Sequence, residues 1–179
     1  LTVTFDGSEN MQPDWVWIKN RDGTDWHDLF DSVRGVTKRL YSNSTNAENT
    51  NTEGLTAFGT NGFTVGNSGD VNTNTNNHVS WNWKAGGSAS SNSDGSITSS
   101  VSANTTAGFS IVSYTGTGSN ATVKHGLNSA PAWIIFKDRS ASKDWFVYHQ
   151  SYSPATGGKL NLTVNPGADS GYFNNTATT

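Results

Sequence analysis

The chain has 179 residues, a formal net charge of −3 and no cysteine, so it can form one large β-sandwich or two small ones without disulfides or thiol chemistry. Low charge density argues against a nucleic-acid partner, and no apolar run approaches the about 18 residues that a membrane-spanning helix needs. Asn, Ser, Thr and Gly fill nearly half of the chain, while seven Trp, eight Phe and five Tyr supply bulky core groups. This composition predicts an antiparallel all-β fold.

Period-2 alternation and polar turns predict a series of short strands. In chain order they are Leu1–Phe5, Asp14–Lys19, Trp26–Phe30, Val36–Tyr41, Gly62–Gly66, His78–Lys84, Ser96–Val101, Phe109–Tyr114, Trp133–Phe136, Trp145–His149 and Lys159–Val164. Ser42–Glu53 and Asn67–Asn77 read as polar surface loops, and Leu55–Phe58 as the one helical turn. After Gly171 only Tyr172 and Phe173 offer apolar anchors.

One strand motif occurs twice. Pro13–Arg21 is echoed by Pro131–Arg139, 118 residues later, and each copy is a run of β-formers that ends in a basic, polar turn. Trp15 and Trp17 point to one face of the strand while Val16 and Ile18 point to the other. Apolar groups on both faces predict a strand that is covered on both sides.

The echo predicts two related units in an antiparallel two-sheet β-sandwich of the jelly-roll or concanavalin-like kind. Residues 1–87 would form the first unit without its N-terminal strand, and 108–179 the second without its C-terminal strands. Residues 88–107 are interpreted as a Ser/Gly-rich linker with a weak strand. The alternative is a single sandwich over 1–179. Either way the chain reads as a segment of a longer repetitive protein, completed by neighbouring repeats or by identical subunits.

No catalytic or metal constellation stands out, so no catalytic residue, metal or cofactor is predicted. The three Glu lie in polar loops, and no strand carries the paired carboxylates of a sandwich-type glycosidase. A Ser/His/Asp triad can be assembled on paper from Ser32, His27 and Asp31, but no nucleophile elbow supports it. Asn20–Asp25 has the oxygen-rich look of a calcium loop, although a hairpin turn explains it more simply.

The tryptophans are the candidate binding residues, because exposed aromatic rings stack on sugar faces. The echo pairs Asp25-Trp26 with Asp144-Trp145 after a one-residue insertion, so Trp26 and Trp145 are the candidate glycan contacts at a rim. A structural role is predicted for the remaining members of the set, namely Trp15, Trp17, Trp81, Trp83 and Trp133. Asp31 and Arg34 are predicted to form a local ion pair that braces a tight bend.

The order of motifs resembles a family of repeated, Trp-rich β-domains encoded by marine tailed bacteriophages, cyanophages among them. The matching stretches are Pro13–Arg21, His27–Gly35, Leu55–Gly66, Val79–Gly87 and Asp94–Arg139. The resemblance implies a concanavalin/laminin-G-like sandwich in a tail-fibre, tailspike or capsid-fibre protein of the virion. It implies contact with other virion proteins and with a host-surface glycan, and a homo-oligomer with a trimer favoured.

Two other functions stay open at this point. One is a carbohydrate-binding module of a bacterial surface protein or enzyme. The other is a concanavalin-like hydrolase, which the missing carboxylate pair disfavours. Genomic neighbours and the state of assembly would separate the first from a fibre protein.

Overall fold

The computed structural model describes residues 1–152 and 155–168, and it is all-β with antiparallel sheets, as predicted. The predicted anchors Tyr172 and Phe173 lie outside the described residues. The strands are β1 Thr2–Thr4, β2 Trp15–Asn20, β3 Asp28–Asp31, β4 Lys38–Tyr41, β5 Asn49–Thr50, β6 Leu55–Gly59, β7 Gly62–Val65, β8 His78–Trp83, β9 Ser90–Asn92, β10 Ser99–Asn104, β11 Phe109–Tyr114, β12 Trp133–Phe136, β13 Phe146–His149, β14 Thr156–Lys159 and β15 Gly167–Ala168. Within the described residues, no helix is long and apolar enough to cross a membrane.

A five-stranded sheet in the order β5-β4-β3-β2-β8 lies at the centre of the fold. One of its faces packs against the three-stranded sheet β1-β7-β6. Val16, Ile18 and Phe30 from the central sheet meet Leu55 and Phe63 from the smaller one, and all five are buried. This contact forms the main apolar cluster of the sandwich.

The opposite face of the central sheet is also covered. Leu29 and Leu40 pack there against Trp145, with Trp15, Trp17, Ile135 and Leu160 around them. Alternation along β2 sends its tryptophans to this face and Val16 and Ile18 to the other. The prediction that the first Trp strand is covered on both sides is therefore confirmed. Both halves of the chain contribute to this second cluster.

The two copies of the repeat form hairpins with the same register. Trp15 pairs with Asp31 and Trp17 with Leu29 in the first hairpin, and Trp133 pairs with His149 and Ile135 with Val147 in the second. The next strand follows the same rule, since Asp28 pairs with Tyr41 and Phe146 with Lys159. A constant offset of 118 residues relates every one of these pairs. The one-residue insertion inferred from the match of Asp25-Trp26 with Asp144-Trp145 therefore does not shift the strands.

Two local predictions were wrong. Leu55–Phe58 is not a helical turn but belongs to β6, which pairs with β7 around a bulge. Four residues are too few for their period to separate a strand from a helix, and the pairing of this segment with β7 makes it a strand. The one helix among the described residues, α1 at Gly69–Asn72, lies instead in the predicted polar loop, where Val71 reaches the core.

The segment 88–107, read as a linker, contains β9 and β10, which pair with β11 in a three-stranded sheet. The Gly-rich stretch before it is packed as well. A Cβ at Gly86 would lie 2.5 Å from the Ala103 carbonyl oxygen, so this glycine is required by close approach. The buried Asp14 carboxylate accepts bonds from the N–H groups of Ala85 and Gly87, at 2.8 and 3.1 Å. These contacts fix the stretch to the start of β2.

Candidate glycan-binding site

Trp26 forms an aromatic platform at the end of the central sheet. It precedes β3, and its side chain is 43% exposed. Its ring centroid lies 5.3 Å from that of Tyr41, at an interplanar angle of 40°, and Tyr41 itself is buried. The indole is thus supported from below by a core side chain while much of its surface faces solvent, which is the arrangement that stacking on a sugar requires.

Polar side chains also contact Tyr41. The Arg39 guanidinium lies 4.7 Å from the Tyr41 ring centroid, and Asn49 Nδ2 donates to the phenol oxygen at 3.4 Å. Arg39 is held in turn by Asp70 Oδ2 at 2.7 Å and by Asn49 Oδ1 at 3.3 Å. A cation over one aromatic ring and a salt bridge behind it give the platform a rigid base.

Hydrogen-bonding groups lie close to Trp26 along the chain. The backbone N–H of His27, the residue that follows Trp26, donates to Asn43 Oδ1 at 3.0 Å. The Asn43 side chain, which is exposed, is thereby held close to the Trp26 backbone. Burial, with a smaller contribution from the Lys19 ammonium, lowers the pKa of His27, so its imidazole is neutral at neutral pH. A neutral imidazole offers one donor and one acceptor, and the amide offers both as well. Such groups match sugar hydroxyls.

A buried carboxylic acid lies beneath this site. Asp28 is fully buried, and its Oδ2 is 3.6 Å from Arg39 Nη1, which is too far for a hydrogen bond. Burial raises the pKa of Asp28 to about 8, and Arg39 offsets only part of this rise. Asp28 is therefore largely protonated at neutral pH, and Arg39 is left to pair with Asp70.

The turn that resembled a calcium loop accepts hydrogen bonds from a lysine ammonium. Lys19 Nζ donates to the carbonyl oxygens of Asn20 and Gly23. The second hairpin repeats this contact, because Lys137 Nζ donates to the carbonyls of Asp138 and Ala141, at 2.9 and 3.3 Å. Among the described residues, no group of three or more His, Cys, Asp or Glu side chains could hold a metal ion.

Asp31 and Arg34 form an ion pair, and it belongs to a wider network. Arg34 also donates to Glu48 Oε2 at 3.1 Å, and Glu48 accepts two bonds from Arg139, each at 2.9 Å. Burial alone would raise the pKa of Glu48, but hydrogen bonds from Arg139 and Arg34 outweigh it and lower the pKa. The network joins the two halves of the chain. Both carboxylate oxygens of Asp31 accept hydrogen bonds from Arg34, one from its backbone N–H and one from its guanidinium.

The structure rearranges the predicted roles of the other tryptophans. Trp145 is only 3% exposed, and its Nε1 donates to the Tyr41 carbonyl at 2.7 Å, so it packs in the core and cannot contact a glycan. Trp133, Trp81 and Trp83, predicted to be structural, are 53%, 47% and 38% exposed. Trp15 and Trp17 are half-buried and contact Trp83 and Trp81, respectively. The alternation along the strands predicted correctly which tryptophans share a face. It did not predict how much of that face is exposed to solvent.

Tyr41, Arg39 and Asp70 were not recognised from the sequence. Arg39 and Tyr41 alternate on β4, so their side chains share one face of the central sheet. That spacing could have predicted the contact between Arg39 and Tyr41. Asp70 lies 31 residues further along the chain, and no local pattern links it to Arg39.

The fold and this site define the class of protein: an all-β protein of antiparallel sheets packed as a sandwich, with an aromatic platform at one end of its central sheet. The chain belongs to the family described as a domain of unknown function, DUF7483, which it matches over residues 3–179. Comparison with curated proteins gave no match, and comparison with solved structures gave none either.

Proposed function

We propose that this chain is a non-enzymatic adhesion module of a bacteriophage virion, of the tail-fibre, tailspike or capsid-fibre type, that binds a glycan of the host surface. The observation that carries the binding role is Trp26, exposed on a base of Tyr41 and Arg39. A partly exposed indole packed on a buried tyrosine, with a cation over that tyrosine, suits stacking on a sugar.

The neighbouring chemistry supports an uncharged or weakly charged sugar. His27 is neutral, the Asn43 amide is exposed, and Arg39 is neutralised by Asp70. The pairing of Arg39 with Asp70 leaves little net charge at the base of the platform. The virion assignment rests on the family resemblance rather than on the site.

The binding role is tested by titrating the chain with a panel of purified bacterial surface polysaccharides while its tryptophan fluorescence is recorded. Trp26→Ala should weaken binding by about tenfold or more, which corresponds to about 1.4 kcal/mol of lost stacking. Trp133→Ala is the matched control, because it removes an indole that is exposed to a greater extent, 53% against 43%, on another strand. Equal binding by wild type and Trp26→Ala would contradict the site.

The virion role is tested separately with antibodies raised against the chain. Immunogold labelling should decorate fibres of phage particles in electron micrographs. Label confined to bacterial cells, with bare particles, would favour a bacterial surface module instead.

A further inference from the structure

Strand β8 has an open edge. Among the described strands its one neighbour is β2, and the central sheet ends there. Natural edge strands are usually protected by proline, by inward-facing lysine or by a bulge. His78–Trp83 contains no proline or lysine, and its pairing with β2 runs in unbroken register over all six residues. This edge lacks the usual protection against pairing.

The backbone groups at this edge can be assigned. The Arg21 N–H donates to the Asn77 carbonyl at 2.7 Å, and bonded pairs alternate along an antiparallel ladder. Val79 and Trp81 therefore bond to β2, while the N–H and C=O groups of His78, Ser80 and Asn82 point away from it. These outward groups have no hydrogen-bond partner within the described residues.

An aromatic face lies next to the open edge. Trp81 is 47% exposed and stands 5.7 Å from Trp17, centroid to centroid. Trp83 is 38% exposed and stands 6.5 Å from Trp15 and 6.3 Å from Phe109. We call Trp81, Trp83 and Phe109 the Trp ridge. An edge with unsatisfied backbone groups and a ridge of this kind has the composition of an interface.

We propose that β8 pairs with β8 of a second copy of this chain, antiparallel and about a two-fold axis at Ser80. Ser80 then exchanges two backbone hydrogen bonds with its own counterpart, and His78 bonds with Asn82 of the partner subunit. Val79 comes to lie beside Trp81 of the partner subunit, an aromatic and β-branched pair that stabilises antiparallel strands. The two central sheets join into one sheet across the axis.

Charge complementarity selects this occupant. Asp22 lies at the His78 end of β8, where its Oδ2 accepts bonds from the Asn77 N–H and Nδ2. Lys84 follows the other end of the strand and is exposed. Antiparallel pairing about Ser80 sets Lys84 opposite Asn76 of the partner subunit, next to the partner subunit's Asp22. At each end of the interface a lysine of one copy therefore lies near an aspartate of the other. A neutral sugar would offer no such attraction.

Sedimentation velocity and light scattering on the purified chain test the proposal. Wild type should be a dimer, and so should Ser80→Ala, which removes the hydroxyl but keeps the N–H. Ser80→Pro should be a folded monomer, since proline removes an outward N–H and leaves the bonds to β2 in place. Lys84→Glu should raise the dimer dissociation constant by about tenfold at low salt and less at high salt, whereas Lys124→Glu should not.

The outcomes that overturn the proposal are equally concrete. A monomeric wild type, a trimer, or a Ser80→Pro variant that melts like wild type and remains a dimer would each refute it. If Ser80→Pro does not fold, charge reversal at Lys84 and Asp22 tests the proposal instead. Lys84→Glu and Asp22→Lys should each weaken the dimer, and the double variant should restore it; failure to restore would refute the two-fold geometry. Polysaccharide binding that requires Trp81 in a monomer would assign the ridge to a glycan instead.

Discussion

At the scale of single residues, Asp28 shows how a buried acid makes stability depend on pH. Its pKa is raised from 3.8 to about 8, chiefly by burial. The unfolded chain therefore loses this proton at lower pH than the folded one does. Between these two pKa values, rising pH favours the unfolded state, so the free energy of unfolding falls across that window.

We expect Asp28→Asn to remove this part of the pH dependence. The amide has the size of the acid but no proton to lose, so the variant should gain stability relative to wild type as pH rises from about 4 to about 8. Urea unfolding at several pH values measures it. Asp6→Asn, an exposed substitution near the N-terminus, serves as control. Parallel profiles for wild type and Asp28→Asn would show that Asp28 is ionised in the folded chain.

Trp145 and Trp133 should differ sharply as alanine variants. Trp145→Ala removes a side chain that is 3% exposed and the two bonds that its Nε1 donates to the carbonyls of Tyr41 and Ser44, so it should cost about 3 to 5 kcal/mol. Trp133→Ala, at a site 53% exposed, should cost about 0.5 kcal/mol or less. Thermal and urea unfolding provide the comparison. Similar losses from both would contradict the burial described here.

The burial of Trp145, which was a candidate glycan contact, has a physical reason. Sequence reasoning aligned Trp26 with Trp145 as equivalents, but the constant offset of 118 residues makes Trp145 the counterpart of His27, one position beyond Trp26. One position turns a side chain to the opposite face of a sheet. The two covered faces of β2 could be predicted because its residues are apolar on both sides.

The covered face of β8 could not be predicted, because it depends on residues far away in the chain and the local pattern holds no information on them.

At the scale of elements, the recurring lysine explains the basic end of each repeat. Lys19 and Lys137 each donate to carbonyls of the turn that follows their strand, and Lys137 also reaches the Thr45 carbonyl at 3.1 Å. The ammonium thereby links the end of each strand to the turn that follows it. The sequence showed the oxygen-rich turn and the lysine beside it. It did not show that the lysine ammonium donates hydrogen bonds to the carbonyl oxygens of that turn.

We predict that Lys19→Met destabilises the chain by about 1 to 3 kcal/mol, because methionine keeps the length of the side chain but leaves turn carbonyls without their charged donor. Lys143→Met, at an exposed position, is the matched control and should have little effect. Equilibrium unfolding in urea measures both variants. If the two lose the same amount, the contact with the turn contributes no stability.

At the scale of the whole molecule, the two halves are joined by charge as well as by apolar packing. Glu48 lies between Arg34 of the first half and Arg139 of the second, and Arg139 also donates to Ser113 Oγ at 2.9 Å. The shared cluster of Leu29, Leu40 and Trp145 lies on the same face of the central sheet. The division into units at 1–87 and 108–179 stays a prediction, and these contacts favour the single sandwich that was its alternative.

Glu48→Gln should lower the free energy of unfolding by about 1 to 3 kcal/mol, because two guanidinium groups lose their carboxylate. The loss should be largest near neutral pH. It should shrink in acid, since the lowered pKa of Glu48 means that its contribution in wild type disappears as pH falls through that value. Glu9→Gln, in an exposed loop, is the control. A loss that does not change with pH would exclude the ionised network as its cause.

The double covering of the central sheet also sets a hierarchy of local opening. Amide protons of β2 and β3 are bonded on a sheet with an apolar cluster above it and another below, so neither face can be peeled away without exposing one of them. Opening these strands requires nearly the full free energy of unfolding, whereas β9 and β15 can fray alone. Hydrogen–deuterium exchange should therefore end with the backbone amides of Val16 and Phe30, long after the outer strands have exchanged.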